Sequence, residues 1–262
     1  MTDMTNREIL EITVAQSAVD SGCRPEDFLY DGVTVVESKV NEGARKYLSL
    51  PFVCDIAWYG HGVVASVGKG MAEDVRRFLE AHASKPEYLF GTPVVYALNE
   101  VLSPYGAKAL FMAEYFLPDL DKLRAHSCPC ELRVLGQEDF GPLYVPEWSN
   151  ALCEKRKHLD VLGVGAYDDS GRMVGFVACS ADCEKMWQIG VDVLPGHRGQ
   201  GIASAVTSRL AQEILDRGKV PFYCAAWSNI RSVRNALRCG FRPSWVQLTA
   251  TDTESVDKAS RE

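Results

Sequence analysis

Long apolar runs, a basic leader and a positive net charge are all missing from this 262-residue sequence. No apolar stretch approaches the roughly 20 residues that a membrane-spanning helix needs. The N-terminal segment MTDMTNREILEITVAQ has no basic start followed by an apolar block, which a secretory signal would require. The net charge of −7 lacks the basic excess of nucleic-acid binders. We therefore expect a cytoplasmic protein with neither a membrane nor a nucleic acid as its partner.

A disulfide framework and a zinc site are missing as well. The nine cysteines are odd in number and irregular in spacing, which is typical of reduced thiols in the cytoplasm. Cys128 and Cys130 form C-P-C, and Cys179 and Cys183 form C-x-x-x-C. Neither pair has the second half of a zinc site at standard spacing. The sequence therefore predicts no bound metal.

What the chain does have is the composition of a globular protein, with 47% apolar and 24% charged residues. Its length suits one large domain or two modest ones. The segment PDLDKLRAHSCP combines prolines with charges and is typical of a linker. We predict an N-terminal α/β domain over residues 1–120, a linker over 121–128, a second domain over 129–250, and a polar tail over 251–262.

Both halves mix helical and strand-like periodicity, which predicts the α/β (α+β) class. In the first half, MTNREILEITVAQSAVDSG, MAEDVRRFLEAHA and TPVVYALNEVLSPYG predict helices. The predicted strands there are GVTVVESKV, FVCDIAWYG, HGVVASVG and AKALFMAEYFLP. The second half predicts a mixed, mostly antiparallel sheet flanked by helices. Its segment EDFGPLYVPEWSNALCEKRKHL is expected to form loop and helix.

A glycine-rich stretch, LPGHRGQGIA, lies between a predicted strand and a predicted helix. This position is typical of phosphate-binding loops, because the first amides of a helix have no internal acceptor. A P-loop is excluded, since the sequence Gly-Lys-Ser/Thr is absent, and Gly68–Lys69 is followed by glycine and not by Ser or Thr. A Rossmann loop is disfavoured, because Ser204 replaces the third glycine and the next strand, VPFYCAAW, has no acid.

The stretch VDVLPGHRGQGIA resembles the acetyl-CoA signature R/Q-x-x-G-x-G/A of the GNAT superfamily of N-acetyltransferases. Arg198, Gly201 and Ala203 occupy its defining positions. A second family motif, N-x-x-A followed by G-F, is matched by Asn229 and Gly240–Phe241, with serine in the alanine position. The order of elements over the C-terminal half is also similar to that of the family.

The resemblance implies a set of acetyl-CoA contacts. The backbone of Val191 and Val193 would bind the pantetheine arm as an added strand would. Asn229 and Ser232 would bind near its thiol end, although Asn229 also suits a plain helix N-cap. The amides expected to cradle the pyrophosphate are those of Arg198, Gly199, Gln200, Gly201, Ile202, Ala203 and Ser204.

The helix NIRSVRNALRCG carries two further expectations. Its apolar residues Ile230, Val233 and Leu237 are expected to face the core. Its basic residues Arg231, Arg234 and Arg238 could meet the 3′-phosphate of the cosubstrate or form a solvated face.

The catalytic groups are less well marked. Many family members carry a tyrosine that protonates the departing thiolate, and this chain has Ala236 at that position. Asp192 is the only carboxylate on the strand before the loop and is the candidate general base. Strand alternation would point it away from the face of Val191 and Val193, unless a β-bulge intervenes. The structural alternative is a strand-end residue that bonds to a neighbouring loop.

The resemblance therefore implies an acetyl-CoA-dependent N-acetyltransferase that modifies a primary amine on a small molecule. The alternative function is a non-catalytic acyl-CoA-binding sensor or partner-binding module on the same fold. The N-terminal half carries no motif. It is expected to be either a degenerate copy of the fold or a separate domain that sets acceptor specificity. A homodimer is one candidate assembly.

Overall fold

The computed structural model describes residues 4–261, which contain seven α-helices and ten strands. The helices are α1 (Asn6–Ser21), α2 (Glu26–Leu29), α3 (Ala72–His82), α4 (Thr92–Leu102), α5 (Ile202–Asp216), α6 (Ile230–Cys239) and α7 (Thr253–Ala259). The strands are β1 (Val33–Glu37), β2 (Cys54–Trp58), β3 (Val63–Val67), β4 (Ala107–Pro118), β5 (Glu131–Gly136), β6 (Asp160–Tyr167), β7 (Met173–Ser180), β8 (Met186–Val193), β9 (Val220–Ala226) and β10 (Phe241–Asp252).

These residues form two compact units. The first contains the described residues up to Ile12 together with Phe116–Pro243, and the second contains Thr13–Tyr115 with the described residues from Ser244 onward. The chain passes from one unit to the other at three points, which lie within α1, β4 and β10. The functional division at residues 1–120, 121–128 and 129–250 stays a prediction.

The sheet of the first unit is mostly antiparallel. Its strands lie in the order β9-β8-β7-β6-β5, and only the β8–β9 pair in this order is parallel. Helix α5 packs an almost continuous buried face, including Val206, Leu210 and Ile214, against this sheet. Gly218, in the left-handed region at φ +70°, follows the end of this helix. The mixed α/β class predicted from the sequence is confirmed here.

The second unit has its own hydrophobic core. Its strands lie in the order β1-β3-β2-β10, with β1 parallel to β3 and the other pairs antiparallel. Helices α3 and α4 bury Val75, Leu79 and Leu98 in a cluster with β2 and β3. The N-terminal α/β fold is therefore confirmed, with β10 added to it from the C-terminal end.

Two local expectations are wrong. Residues 137–159 contain only short 3₁₀ turns and no α-helix, because Pro142 and Pro146 interrupt the segment. On α6, Ile230 and Leu237 are exposed, and the buried side of this helix is formed by the small residues Ala236 and Cys239.

The predicted polar tail contains regular structure. Strand β10 continues to Asp252, and α7 follows directly. The carboxylate of Asp252 caps this helix, since the Ser255 amide donates to Asp252 Oδ1 at 2.8 Å. Across residues 4–261, no helix combines the length and the apolar content that a bilayer crossing requires.

Candidate active site

A cleft of about 910 Å³ opens in the first unit at the C-terminal end of β8. Its volume lies within the range that is usual for ligand pockets, about 300–1,000 Å³. Its walls come from β8, from the glycine loop and first turn of α5, from β9 and from α6. The lining residues include Asn150, Val191–Val193, Arg198, Gly199, Gly201–Ser204, Tyr223, Asn229, Ser232, Asn235 and three arginines of α6.

The cleft exists because two parallel strands diverge. The β8–β9 register runs from Met186↔Val220 to Ile189↔Tyr223, and residues 190–193 of β8 lie beyond it. On its other side, β8 stays paired with β7 up to Gly175↔Val193. The last part of β8 therefore has one edge that can accept an added strand.

The direction of the backbone groups follows from the β7–β8 ladder. The Leu194 amide donates to Val174 O at 3.0 Å, so residue 194 bonds to β7. Hydrogen-bonded and non-bonded pairs alternate in an antiparallel ladder. The N–H and C=O groups of Val191 and Val193 consequently point away from β7, toward the open edge. The carbonyl of Val193 already accepts a hydrogen bond from Arg198 Nε at 3.0 Å.

The glycine loop turns sharply into α5. Gly199 and Gly201 have φ values of +81° and +83°, in the left-handed region that favours glycine. The amide of Ala205 donates to Gly201 O at 3.0 Å. The amides of Ile202, Ala203 and Ser204 therefore precede the first helical hydrogen bond and lie at the positive end of the helix dipole.

The side chains of this loop do not all face the cleft. Ile202 is buried in the core of the unit, so only its backbone can contact a ligand. Ser204 is buried as well, and its Oγ donates to Asn235 Oδ1 at 3.0 Å. Gln200 is exposed and lies outside the lining residues. The side chain of Arg198 is held against β8 by its hydrogen bond to Val193 O. The loop consequently presents backbone more than side chain.

The charge of the cleft is strongly positive. Arg231, Arg234 and Arg238 line one wall, and His197 and Arg198 line the loop side. Asp192 is the one acidic residue among the described lining residues. The three arginines of α6 thus face the cleft, where they would attract a polyanion.

At the inner end of the cleft, three side chains form a small polar network. The Ser232 amide donates to Asn229 Oδ1 at 3.2 Å, so Asn229 is the N-cap of α6 while it also lines the cleft. The Ser232 Oγ lies 2.7 Å from the Tyr223 hydroxyl. Tyr223 was missed from the sequence, because only the fold brings this strand residue next to α6.

Asp192 lies where strand alternation places it. The β7–β8 register is unbroken from Gly175↔Val193 to Ser180↔Gln188, so no bulge turns this side chain around. Its Oδ2 accepts hydrogen bonds from the amides of Asn150 at 2.9 Å and Ala151 at 3.0 Å, and its Oδ1 accepts one from Asn150 Nδ2 at 2.6 Å. Asp192 therefore anchors a neighbouring loop, as the structural alternative predicts, while its role as a base stays a prediction.

The position at which many family members carry the acidic tyrosine is occupied here by Ala236. Ala236 is fully buried in the core and belongs to the same cluster as Tyr223. Its methyl group can donate no proton. Residues 4–261 contain no cluster of three or more His, Cys, Asp or Glu side chains that could hold a metal ion.

Several solved structures are similar to this chain. A GCN5-related N-acetyltransferase-like protein from Streptococcus suis has 22% identity and a TM-score of 0.43, with 60% of this chain and 67% of that chain covered. An acetyltransferase from the GNAT family from Colwellia psychrerythraea has 16% identity and a TM-score of 0.43, with 59% and 62% covered. This chain thus spans less than two thirds of the Colwellia protein.

A third structure is similar along nearly the whole chain. It is a tandem GNAT protein from the clavulanic acid biosynthesis pathway, with 14% identity and a TM-score of 0.48, and the match covers 94% of this chain and 95% of that one. No protein of curated function matches the sequence. The family model described as "Acetyltransferase (GNAT) family" matches residues 121–241. The similarity to the GNAT family of acetyltransferases therefore lies in the C-terminal half of the chain, over residues 121–241.

Proposed function

We propose that the chain transfers an acetyl group from acetyl-CoA to a primary amine on a small molecule. The observation that carries the proposal is the divergence of β8 from β9 directly before the amides at the start of α5. An open strand edge and an anion-binding helix start are thereby adjacent. A pantetheine arm linked to a pyrophosphate has the same two recognition elements in the same order.

The residues present fit this ligand. The amides of Ile202, Ala203 and Ser204 would hold the pyrophosphate, with left-handed Gly199 and Gly201 allowing its close approach. The arginines of α6 would neutralise the remaining phosphate charge.

The strand edge supplies the other contacts. The Val191 N–H and C=O groups and the Val193 N–H would pair with the amide groups of the pantetheine arm, while Val193 O stays with Arg198. A backbone N–H near the inner end of this edge would polarise the thioester carbonyl.

We infer that the acceptor amine attacks the thioester directly, without a covalent intermediate on the protein. The described lining residues include no cysteine, and the hydroxyl of Ser204 is buried against Asn235. The amine must be neutral to attack. Asp192 is the candidate base, and it would have to release Asn150 or act through water.

A second function is favoured by two observations. Ala236 supplies no acid, and both oxygens of Asp192 are already occupied by the loop. These features suit a non-catalytic acyl-CoA sensor on the same fold.

Calorimetry with acetyl-CoA, followed by release of free thiol in the presence of a panel of small amines, separates the two functions. Binding with amine-dependent thiol release supports the transferase. Binding without turnover on any amine supports the sensor, and absence of binding contradicts both.

A further inference from the structure

Two hydrogen-bonded hydroxyl groups, which the sequence did not reveal, lie at the vertex of the cleft, the point at which β8 and β9 diverge. Tyr223 lies opposite Ile189 in the last register pair before the strands separate. It is only 2% exposed, yet it lines the inner end of the cleft. Its hydroxyl is 2.7 Å from Ser232 Oγ on α6. This phenol is therefore held at a defined place between strand and helix.

The place matters because of the direction in which the cleft runs. This step rests on the proposed function. A pyrophosphate at the start of α5 lies beyond Val193, and an arm paired with the open edge runs back past Val191 toward Ile189. The end of that arm is the thioester. The thioester sulfur consequently arrives at the vertex, where Tyr223 lies.

A proton donor is needed at that sulfur. Attack by an amine breaks the C–S bond and expels a thiolate, whose conjugate thiol has an ordinary pKa of about 8.5. Among the described lining residues, Tyr223 is the only phenol. His197 lies on the loop, at the pyrophosphate end of the cleft, and the serine hydroxyls are far weaker acids.

We propose that Tyr223 is the catalytic acid that protonates the departing sulfur. The nitrogen–carbon bond forms, the carbon–sulfur bond breaks, and the Tyr223 hydroxyl proton goes to sulfur. The phenolate left behind accepts a hydrogen bond from Ser232 Oγ. The proton that the acylated nitrogen loses restores the phenol through water in the cleft. Ser232 is a positioning residue for this hydroxyl.

The surroundings of Tyr223 suit a phenol that gives up its proton only briefly. Burial raises the pKa of Tyr223, so the hydroxyl stays protonated at neutral pH. Hydrogen bonds from Ser232 and Asn235 act in the opposite direction and lower that pKa, since they stabilise the phenolate. Tyr223 is thus protonated before the reaction, and its phenolate is stabilised by hydrogen bonds after the proton has left.

The chain offers a matched control. Tyr59 forms the same kind of pair, with its hydroxyl 2.7 Å from Ser17 Oγ, in the second unit. Tyr59→Phe and Tyr223→Phe therefore remove the same atom and the same type of hydrogen bond. A general loss of stability would affect both variants, whereas loss of a group at the sulfur would affect only the second.

The test is an ultraviolet titration of the CoA thiol bound to the full-length protein, which requires no acceptor. A hydrogen bond from the Tyr223 hydroxyl would stabilise the thiolate relative to the thiol, so its loss favours the protonated form. Tyr223→Phe should therefore raise the pKa of the bound thiol by about one unit or more, while Tyr59→Phe leaves it unchanged. With an accepted amine, Tyr223→Phe should also lower kcat by about 100-fold or more, with the Kd for acetyl-CoA within about threefold of the wild-type value.

Identical thiol titrations in the wild type and in Tyr223→Phe would overturn the inference and leave the proposed function standing. Failure of the wild type to bind CoA would overturn both, and calorimetry identifies that case separately. An unchanged kcat in Tyr223→Phe, on an amine that the wild type acetylates, would also exclude Tyr223 as the acid.

Discussion

Replacement of Gly201 by valine should weaken acetyl-CoA binding at least about 100-fold without unfolding the protein. Gly201 has a φ of +83°, and a Cβ there would lie 3.4 Å from Ser127 O. A left-handed backbone costs a residue with a side chain about 1–2 kcal/mol. The chain can relieve that strain only by rotating the turn that aims the amides of Ile202 and Ala203.

The effect on binding can be estimated from the hydrogen bonds at risk. A hydrogen bond to a charged group contributes about 1.5–3 kcal/mol. Loss of two such bonds to the pyrophosphate would cost about 3 kcal/mol or more, which corresponds to a Kd at least about 100-fold weaker. Titration calorimetry measures this change directly, and a thermal melt shows whether the variant is folded.

Gly171→Val is the matched control. Gly171 has nearly the same backbone, with a φ of +80°, and it lies in the β6–β7 hairpin turn, outside the lining residues. The strain should lower stability by a similar amount in both variants, while the control keeps the wild-type Kd. If folded Gly201→Val bound acetyl-CoA as the wild type does, the glycine loop would not be the pyrophosphate site.

Three other predictions follow from the cleft and from the second unit. Arg234→Gln should weaken acetyl-CoA binding about tenfold at low salt and less at high salt, while Arg209→Gln, outside the lining, leaves the Kd unchanged; equal Kd values for both would make the α6 arginines a solvated face. Asp192→Asn should lower the free energy of unfolding by about 1–3 kcal/mol, as measured in urea, because the loop loses a charged acceptor; a loss of kcat of about 100-fold or more at unchanged stability would instead identify Asp192 as the base. Burial raises the pKa of Asp55 from 3.8 to about 6, so the folded protein keeps a proton that the unfolded chain loses between these values. The Asp55 contribution to stability should therefore fall by about 3 kcal/mol in total as the pH rises from below 3.8 to above 6. Asp55→Asn should remove this pH dependence; a wild-type stability that rises over that window as steeply as that of the variant would contradict the assignment.

The regular elements of the fold could be predicted because their signals are local. Gly22 and Gly218 follow helices in the left-handed conformation, which other residues rarely adopt. The alternation of β8 also correctly predicted that Asp192 leaves the face of Val191 and Val193. In these cases neighbouring residues alone determine the backbone or the direction of a side chain.

The wrong predictions arise where contacts between residues distant in sequence determine which side chains are buried. On α6, apolar Ile230 and Leu237 predicted a buried stripe, but small Ala236 and Cys239 allow closer packing and take that place. Gly240 shows the same dependence, because a Cβ there would lie 2.5 Å from the carbonyl of Lys122, which is far away in sequence. No window of sequence contains both partners of such a contact.

The candidate site likewise contains some features that local sequence predicts and others that depend on the fold. The glycine loop could be identified from consecutive residues, since its proposed role depends on backbone conformation. The pair of Tyr223 with Ser232, and the bond of Ser204 to Asn235, required the fold to bring β9, α5 and α6 together. Gln200 lies within the motif but is exposed and outside the lining residues, so the contact of its amide with a ligand stays a prediction.

Titration of the full-length wild-type protein with acetyl-CoA, followed by calorimetry, tests the central claim most directly. The open edge of β8 and the amides at the start of α5 predict saturable binding of one acetyl-CoA per chain. Binding should be at least about 100-fold weaker in Gly201→Val and unchanged in Gly171→Val. Absence of binding to acetyl-CoA, together with saturable binding of NAD or ATP at the same cleft, would contradict the account.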